Sequence, residues 1–488
     1  MNHFFFQPGD GWAGDPIPFY NEADRKFYLY YLHDTRETAA TAYRTSWNLA
    51  VSSDLCSWED MGTVLPPGGL SDCDLCCYTG SVIAGSDGRW HLFYTAQNPD
   101  NPDYCISGRP LQYIVHAVSR DLLHWEKHRE SAFSSPAGEY EPFDWRDPHV
   151  FYDPESGQYG MLLAARCRGS SFRRGGVTLL CRSDDLVTWS RPEPFYSPGM
   201  FYTHECPDLF FLNGWWYLLF STFTQRFATH YRMSRSLSGP WLIPDEDTFD
   251  ARGMYAVKTA AAGDRRFCFG WIPTRADQSD FAHWQWGGTL AVHELVQNPD
   301  GTLSVKLPPE VLASASPVPA LPHPCTYPEG AYIRGRNAFF RAPETRELLY
   351  DDLIPSGILT LDLKPSAGIL DFGLFFHVDE TLENGYYFRF EPLHRRVVFD
   401  LWPRRPLDSE QHRLNGDVPF QNGFERYLPD DCFRSLHLTV VCSDTILVLY
   451  INDRTAMSVR VCRPDRRWGF FATRGALSIN HIQWRRFP

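Results

Sequence analysis

The chain has 488 residues, is 43% hydrophobic and 22% charged, and carries a formal net charge of −13. Such a length accommodates one large β domain plus a smaller one, or two or three ordinary domains. The acidic balance excludes the basic footprint of a nucleic-acid binder, and no apolar run reaches the roughly 18 residues that a membrane span needs.

Aromatic residues make up 15% of the chain: 16 Trp, 24 Tyr and 35 Phe. Flat rings pack well on pleated surfaces and also lie well against sugar C–H faces, so a β protein is expected, with most rings in its core. The segment Met1 to Pro8 has neither a basic leader region nor a long apolar run, so no secretory signal is expected. The 13 Cys are odd in number and scattered, which points to a reducing cytoplasm rather than a disulfide framework. Cys73, Cys76 and Cys77 contain a C-x-x-C core, but no second pair follows at finger spacing. No metal is expected there.

In chain order, short β-type runs dominate. Phe27 to Leu32, Trp90 to Tyr94 and Trp215 to Phe220 each follow a turn signal: Glu22-Ala23-Asp24, Ser86-Asp87-Gly88 and Asn213-Gly214. A repeat of the form D-L-x-x-W begins at Asp54, Asp121 and Asp185, spaced 67 and 64 residues apart. Ser234 to Trp241 is a weaker fourth copy. Repeats holding several strands each are the signature of a β-propeller, and this spacing predicts about five blades in roughly the first 300 residues. The repeat itself reads as a blade turn with its Trp packed below the outer strand. From Leu307 to Pro328 the chain turns rich in Pro, Ala and Ser, as in a linker. Strand runs resume at Gly357 to Leu363, Gly385 to Phe390 and Leu436 to Val441, suggesting a β-sandwich. The expected layout is a propeller over 1–306, a linker over 307–328 and a sandwich over 329–488.

Glycoside cleavage needs an acid to protonate the leaving oxygen and a carboxylate to attack or stabilise the anomeric carbon. In a propeller these groups sit on innermost strands, about a blade apart in sequence. Three segments fit: Gly11 to Tyr20 around Asp15-Pro16, Phe143 to Phe151 around Asp147-Pro148, and Tyr202 to Phe210 around Glu205-Cys206-Pro207. Arg146 is placed to hold a sugar hydroxyl or to keep Asp147 ionised. Glu205, among Cys, Pro and apolar neighbours, suits a raised pKa.

These segments resemble the W-x-N-D-P, R-D-P and E-C-P signatures of glycoside hydrolase family 32, the invertase, inulinase and levanase family, whose clan relative is family 68. Other segments agree: Trp47 to Leu55, Tyr78-Thr79-Gly80-Ser81, Tyr255-Ala256, Gly270-Trp271 and Trp284-Gln285-Trp286. The resemblance spans nearly the whole chain. It implies an all-β fold, a five-bladed propeller followed by a C-terminal β-sandwich. It also implies Asp15 as nucleophile, Asp147 as transition-state stabiliser and Glu205 as general acid/base, with no cofactor and no metal. Tyr78, Thr79, Tyr255 and Trp271 become candidate sugar contacts through the matched segments. Trp12, Trp47 and Trp286 read as rim rings or as core.

Several positions depart from the family pattern. Gly14 stands where Asn normally precedes the nucleophile, Ile17-Pro18 replaces N-G, Leu32 replaces the Gln of the F-Y-Q strand, and Leu49 replaces a His. His33 and Asp34 either supply the lost polar contacts or form a solvent-facing strand end. His204 either tunes Glu205 or points to the other side of its strand. Retained acids with altered neighbours imply retained chemistry on a β-fructofuranoside or a related furanoside. The expected partner is an oligosaccharide or small furanoside, with no nucleic acid and no membrane; the sequence carries no signal of oligomeric state. Two other readings stay open: an arabinofuranoside-active or inverting enzyme of the other five-bladed glycosidase families, and a non-catalytic carbohydrate-binding protein.

Overall fold

The computed structural model describes residues 4–36, 44–136, 138–171, 173–224, 227–403 and 424–488. Met1 to His3 of the leading segment lie outside these. The fold is almost entirely β, with one short α-helix, Pro309–Ser314, among the described residues.

Five antiparallel blades form the N-terminal part. Blade 1 comprises Trp12–Asn21, Lys26–Asp34, Ser46–Ser52 and Glu59–Leu65. Blade 2 comprises Cys76–Ala84, Trp90–Gln97, Gln112–Ser119 and Trp125–Ser134, and blade 3 Tyr140–Asp153, Gln158–Cys167, Gly176–Ser183 and Glu193–Tyr196. Blade 4 has Glu205–Leu212, Trp215–Thr222 and Ala228–Ser234, with Leu242 bridging to Met233 where a fourth strand would lie. Blade 5 comprises Tyr255–Ala262, Arg265–Arg275, Trp284–Gln297 and Leu303–Lys306. The first strands of successive blades touch in a closed cycle, so they surround the axis. Ala13 pairs with Gly288, and Phe6 bridges to Leu290, which ties the first blade to the fifth.

The D-L-x-x-W repeat is a turn between the third and fourth strands of blades 1 to 3. In each copy a Ser three residues before the Leu accepts its backbone N–H (Ser52, Ser119 and Ser183; 2.9–3.0 Å). The Asp then accepts two further N–H groups: Asp121 Oδ1 takes those of Leu123 and His124 at 2.9 and 2.8 Å. The Leu sits at positive φ, 62° to 66° in the three copies. Asp121→Ala leaves two turn N–H groups without their acceptor, much as loss of a helix cap does. A cost of about 1 kcal/mol is expected, read as a lower urea midpoint.

The C-terminal part is a β-sandwich knitted by one long strand, Arg467–Arg486. Its first half pairs with Asp371–Val378 and its second half with Gly357–Pro365, while Asn337–Tyr350 follows its other edge. The proline-rich stretch is more structured than its composition suggests. It carries the helix Pro309–Ser314, and Ser316-Pro317 pairs with Arg486 and Arg485.

Buried polar contacts join the two parts. Asp250 of the propeller accepts the N–H and hydroxyl of Ser458 at 2.7 and 2.5 Å. Arg426 donates to Thr248 and to the Asp250 carbonyl. Because both sides are desolvated, losing either partner leaves a buried group unpaired. The two parts therefore dock in one fixed arrangement.

Candidate active site

All five first strands break register at the same height. The shifts fall between Gly14 and Ile17, Tyr78 and Gly80, Arg146 and His149, Glu205 and Asp208, and Tyr255 and Lys258. A bulge of this kind re-aims side chains and ends regular pairing. Four of the five place a non-glycine residue at positive φ: Asp15 (28°), Asp147 (58°), Cys206 (49°) and Ala256 (53°). Such conformations cost about 1–3 kcal/mol each and persist where the surroundings enforce them. Here they turn one or two side chains per blade into the mouth of the axial channel.

The result is a cavity of about 460 Å³ that holds Asp15, Asp147 and Glu205 together with Arg146, Tyr78, Thr79, Asp34, Tyr255, Trp271 and Trp286. Asp15 accepts the Thr79 hydroxyl at 2.5 Å and the Trp271 indole N–H at 2.9 Å, one bond to each carboxylate oxygen. Glu205 accepts the Tyr255 hydroxyl at 2.6 Å and Arg146 Nη2 at 3.1 Å. Asp147 accepts the Cys206 N–H at 2.9 Å, and its own N–H donates to Thr95 Oγ1 at 2.7 Å. Arg146 also holds Asp144 at 2.8 Å, so one guanidinium ties blade 3 to blade 4.

Burial pushes all three acids above the ordinary carboxylate range. For Asp15 the nearby Glu205 charge adds to the rise, against hydrogen bonds from Thr79 and Trp271. For Asp147 the Arg146 charge opposes burial. Glu205 is raised by burial and by Asp147, and lowered by Arg146 and by the Tyr255 hydrogen bond. Like-charged acids in one desolvated pocket cannot all ionise freely, which favours one remaining protonated.

Lys258 lies near Asp147, outside the residues that line the cavity. It is 2% exposed, and its Nζ donates to the carbonyls of Gly80 and Pro207 at 2.9 and 3.2 Å. Its positive charge favours the ionised form of the Asp147 carboxylate.

Four expected contacts lie elsewhere. Trp47 is fully buried between blades 1 and 2, with its indole N–H on the Tyr78 carbonyl at 2.9 Å. It is core, and burying such a ring stabilises by about 2–3 kcal/mol. His204 is also fully buried, packed on Phe220 with Nδ1 3.1 Å from the Thr178 hydroxyl. It lies across the strand from Glu205, because neighbours on a strand face opposite sides. His33 turns toward Asp10, 3.1 Å away, for the same reason; the adjacent Asp34 faces the cavity. Trp12 lies under the Arg36 guanidinium, 4.6 Å from its ring centre, and lines a different cavity. Leu49, one of the altered positions, is core, whereas Leu32 lines the site.

Gln97, Gln112, Phe223, Phe227 and Lys258 were not anticipated from sequence. Gln97 ends the second strand of blade 2 just as Asp34 ends that of blade 1. That positional equivalence was the available signal. Lys258 had one too: it is the single charge in the apolar run from Tyr255 to Ala262.

The model for the glycosyl hydrolases family 32 N-terminal domain matches residues 5–304. The chain belongs to glycoside hydrolase family 32. Among curated family 32 relatives, it is 27% identical to the sucrose-6-phosphate hydrolase of Escherichia coli, over 62% of this chain and 63% of that one. It is 26% identical to an insoluble β-fructofuranosidase isoenzyme of Arabidopsis thaliana, over 59% of this chain and 54% of that one. The chain thus matches from about half to under two thirds of these relatives' length. The likeness in fold extends over the whole chain. An exo-inulinase of Aspergillus awamori superposes with a TM-score of 0.74 at 15% identity, covering 99% of this chain and 98% of the other. Fructan 1-exohydrolase IIa of Cichorium intybus gives 0.71 at 17% identity, covering 100% and 98%. Propeller and sandwich are therefore both part of the fold shared with these solved structures. No helix among the described residues is long and apolar enough to cross a membrane.

Tyr255 offers a local test of the site's electrostatics. Its hydroxyl donates to Glu205 and so favours the carboxylate over the acid. Tyr255→Phe removes that preference and raises the Glu205 pKa further. If Glu205 must be protonated to act, the alkaline limb of kcat/KM moves to higher pH, as a pH–rate profile will read.

Proposed function

We propose that the chain is a retaining hydrolase of β-fructofuranosidic or related furanosidic linkages. Asp15 is the nucleophile, Glu205 the general acid/base, and Asp147 the group that grips ring hydroxyls. The observation that carries this reading is the convergence of the three acids, from bulges at one height on three blades, into a single cavity. Thr79 and Trp271 leave Asp15 oriented by two hydrogen bonds. Asp15 attacks the anomeric carbon while Glu205 protonates the departing oxygen, forming a covalent glycosyl-enzyme. Glu205 then takes a proton from water, which releases the sugar with its configuration retained. Asp147 binds most tightly when the ring is oxocarbenium-like, which lowers the barrier rather than only the KM. Proton NMR of the first-formed product tests the pathway: the retained anomer is expected, and the inverted one overturns it. A screen of sucrose, inulin, levan, difructose anhydrides and arabinofuranosides identifies the sugar.

The altered neighbours bear on which sugar is accepted. A Cβ on Gly14 would lie 2.3 and 2.4 Å from two carbons of the Trp286 ring. The indole therefore occupies the space in which the family signature places an Asn side chain. With Leu32 also on the wall, two polar contacts become apolar surfaces, and Asp34 and Gln97 supply polar groups on the cavity wall. The sugar accepted presents C–H faces toward Trp286 and Leu32. Gly14→Asn displaces the ring and is expected to lower kcat/KM about 10- to 100-fold, mainly through KM. Adding Trp286→Ala relieves the clash; an unchanged KM in Gly14→Asn alone removes Trp286 from the contact.

We place the protein in the cytoplasm. Its thirteen cysteines are all free, including the cluster Cys73, Cys76 and Cys77, which suits a reducing compartment.

A further inference from the structure

A second cavity of about 460 Å³ lies in the seam between propeller and sandwich. The propeller contributes Trp12, Thr274 and Arg275; the sandwich contributes His377, Arg460, Arg463 and Arg466. Its charge is unbalanced. Arg275 and Arg460 are 5% and 7% exposed, yet neither bonds a carboxylate. Arg275 donates to the carbonyls of Asp280 and Ala282 and stacks on Trp284, and its Nε–H has no partner. Arg460 spends its donors on the carbonyls of Ile272 and Pro273 and the hydroxyls of Thr289 and Thr445. The buried carboxylate nearby, Asp280, is held by Arg463 at 3.1 Å and by the Tyr386 hydroxyl. Arg466 and Asp444 stand exposed at the rim. Burial lowers both guanidinium pKa values to about 10; for Arg275 it outweighs the opposing charge of Asp280, which Arg463 already holds. Arg36, in the wall toward the active site, adds to the repulsion on Arg460. Desolvated cations of this kind call for an anion.

A second buried group asks for a different partner. His377 is 5% exposed, and its Nδ1 lies 2.8 Å from the Asp465 carbonyl, so Nδ1 carries the proton. Burial keeps the ring neutral, and Nε2 is left as an unpartnered acceptor. A ligand that fits must therefore bring negative charge for the arginines and a hydroxyl donor for His377. The Trp12 ring and the aliphatic Leu353 and Pro355 form the apolar part of the wall.

We propose that this seam binds a small hydroxylated oxyanion, a monosaccharide bearing a phosphate or a carboxylate group. The site is separate from the catalytic cavity but adjoins it: Arg36 donates to Thr274, which lines the seam, and to Gln285, which lines the active site.

Calorimetric titration of the full chain with glucose 6-phosphate, glucuronate and glucose tests this. At least one of the two anions is expected to bind in the millimolar range or tighter, with glucose silent; the comparison tells phosphate from carboxylate. The rim variant Arg466→Gln, which leaves the Arg463–Asp280 pair intact, is expected to weaken that binding about tenfold or more. Arg460→Met should do the same; because Arg460 also bonds across the seam, the rim variant decides if this one fails to fold. Arg146→Gln, in the catalytic cavity, should leave the titration unchanged. The proposal is overturned if neither anion binds at about 10 mM, if the rim variant binds as well as the parent, or if Arg146→Gln abolishes the heat.

Discussion

Replacing Asp15 by Asn should reduce kcat by about 10⁴-fold or more, the scale on which removing a covalent nucleophile acts in other hydrolases. The amide keeps the shape of the side chain and can still accept from Trp271 or Thr79, so folding should be little changed. What is lost is the charge that, in the proposed mechanism, attacks the anomeric carbon. The loss should appear in single-turnover measurements as well as in steady state, since bond cleavage itself is blocked. Adding azide to Asp15→Gly supplies an external nucleophile in the vacated space. A glycosyl azide of inverted configuration is then expected. A variant that retains parental hydrolysis with any tested furanoside would remove Asp15 from the reaction coordinate.

Glu205→Gln should have a different signature. General acid catalysis is worth about 10²–10⁴-fold, and its value depends on how badly the leaving group needs a proton. With an unactivated sugar leaving group the full loss is expected. With an aryl leaving group of low pKa, cleavage proceeds and the slow step becomes attack of water on the glycosyl-enzyme, so a burst of phenol precedes a slow steady state. The pH profile carries the sign. The proposed mechanism needs Asp15 ionised and Glu205 protonated, so activity is expected to rise with pH through the Asp15 pKa and to fall through that of Glu205. Both values are raised by burial, which places the optimum above the ordinary carboxylate range. In Glu205→Gln the alkaline limb belonging to Glu205 disappears. A limb that persists unchanged assigns it to another group.

The three acids that meet in the cavity were legible because each stands beside a backbone breaker. Asp15-Pro16, Asp147-Pro148 and Glu205-Cys206-Pro207 announce the bulges that aim them. The fifth bulge, at Tyr255-Ala256, has no proline, and its place came only from resemblance. The aromatic rings were the least legible group. Trp47 stands between Ser46 and Asn48 and Trp271 between Gly270 and Ile272, yet both are almost completely buried. Only the direction of the indole N–H separates them: one meets a backbone carbonyl, the other the Asp15 carboxylate. His33 and Asp34 show the same limit from the other side. They are adjacent, and the twofold alternation of a strand had to send one inward, but sequence does not set which.

What the amino-acid sequence determined by itself is the architecture and three acids that the fold gathers into one cavity. Repeat spacing, turn residues and strand composition act locally, so they can be read along the chain. The S-x-D-L turns in blades 1 to 3, closed by bonds between residues two or three apart, are the plainest case. What only the tertiary structure decided is the environment of those acids. Trp286 meets Gly14 across the closure of the ring, Arg146 reaches Glu205 from the next blade, and Lys258 spans three blades. The arginines of the seam come from segments nearly 200 residues apart. Burial, charge coupling and contact across such separations arise from closing the propeller and docking the sandwich, and no local pattern encodes them.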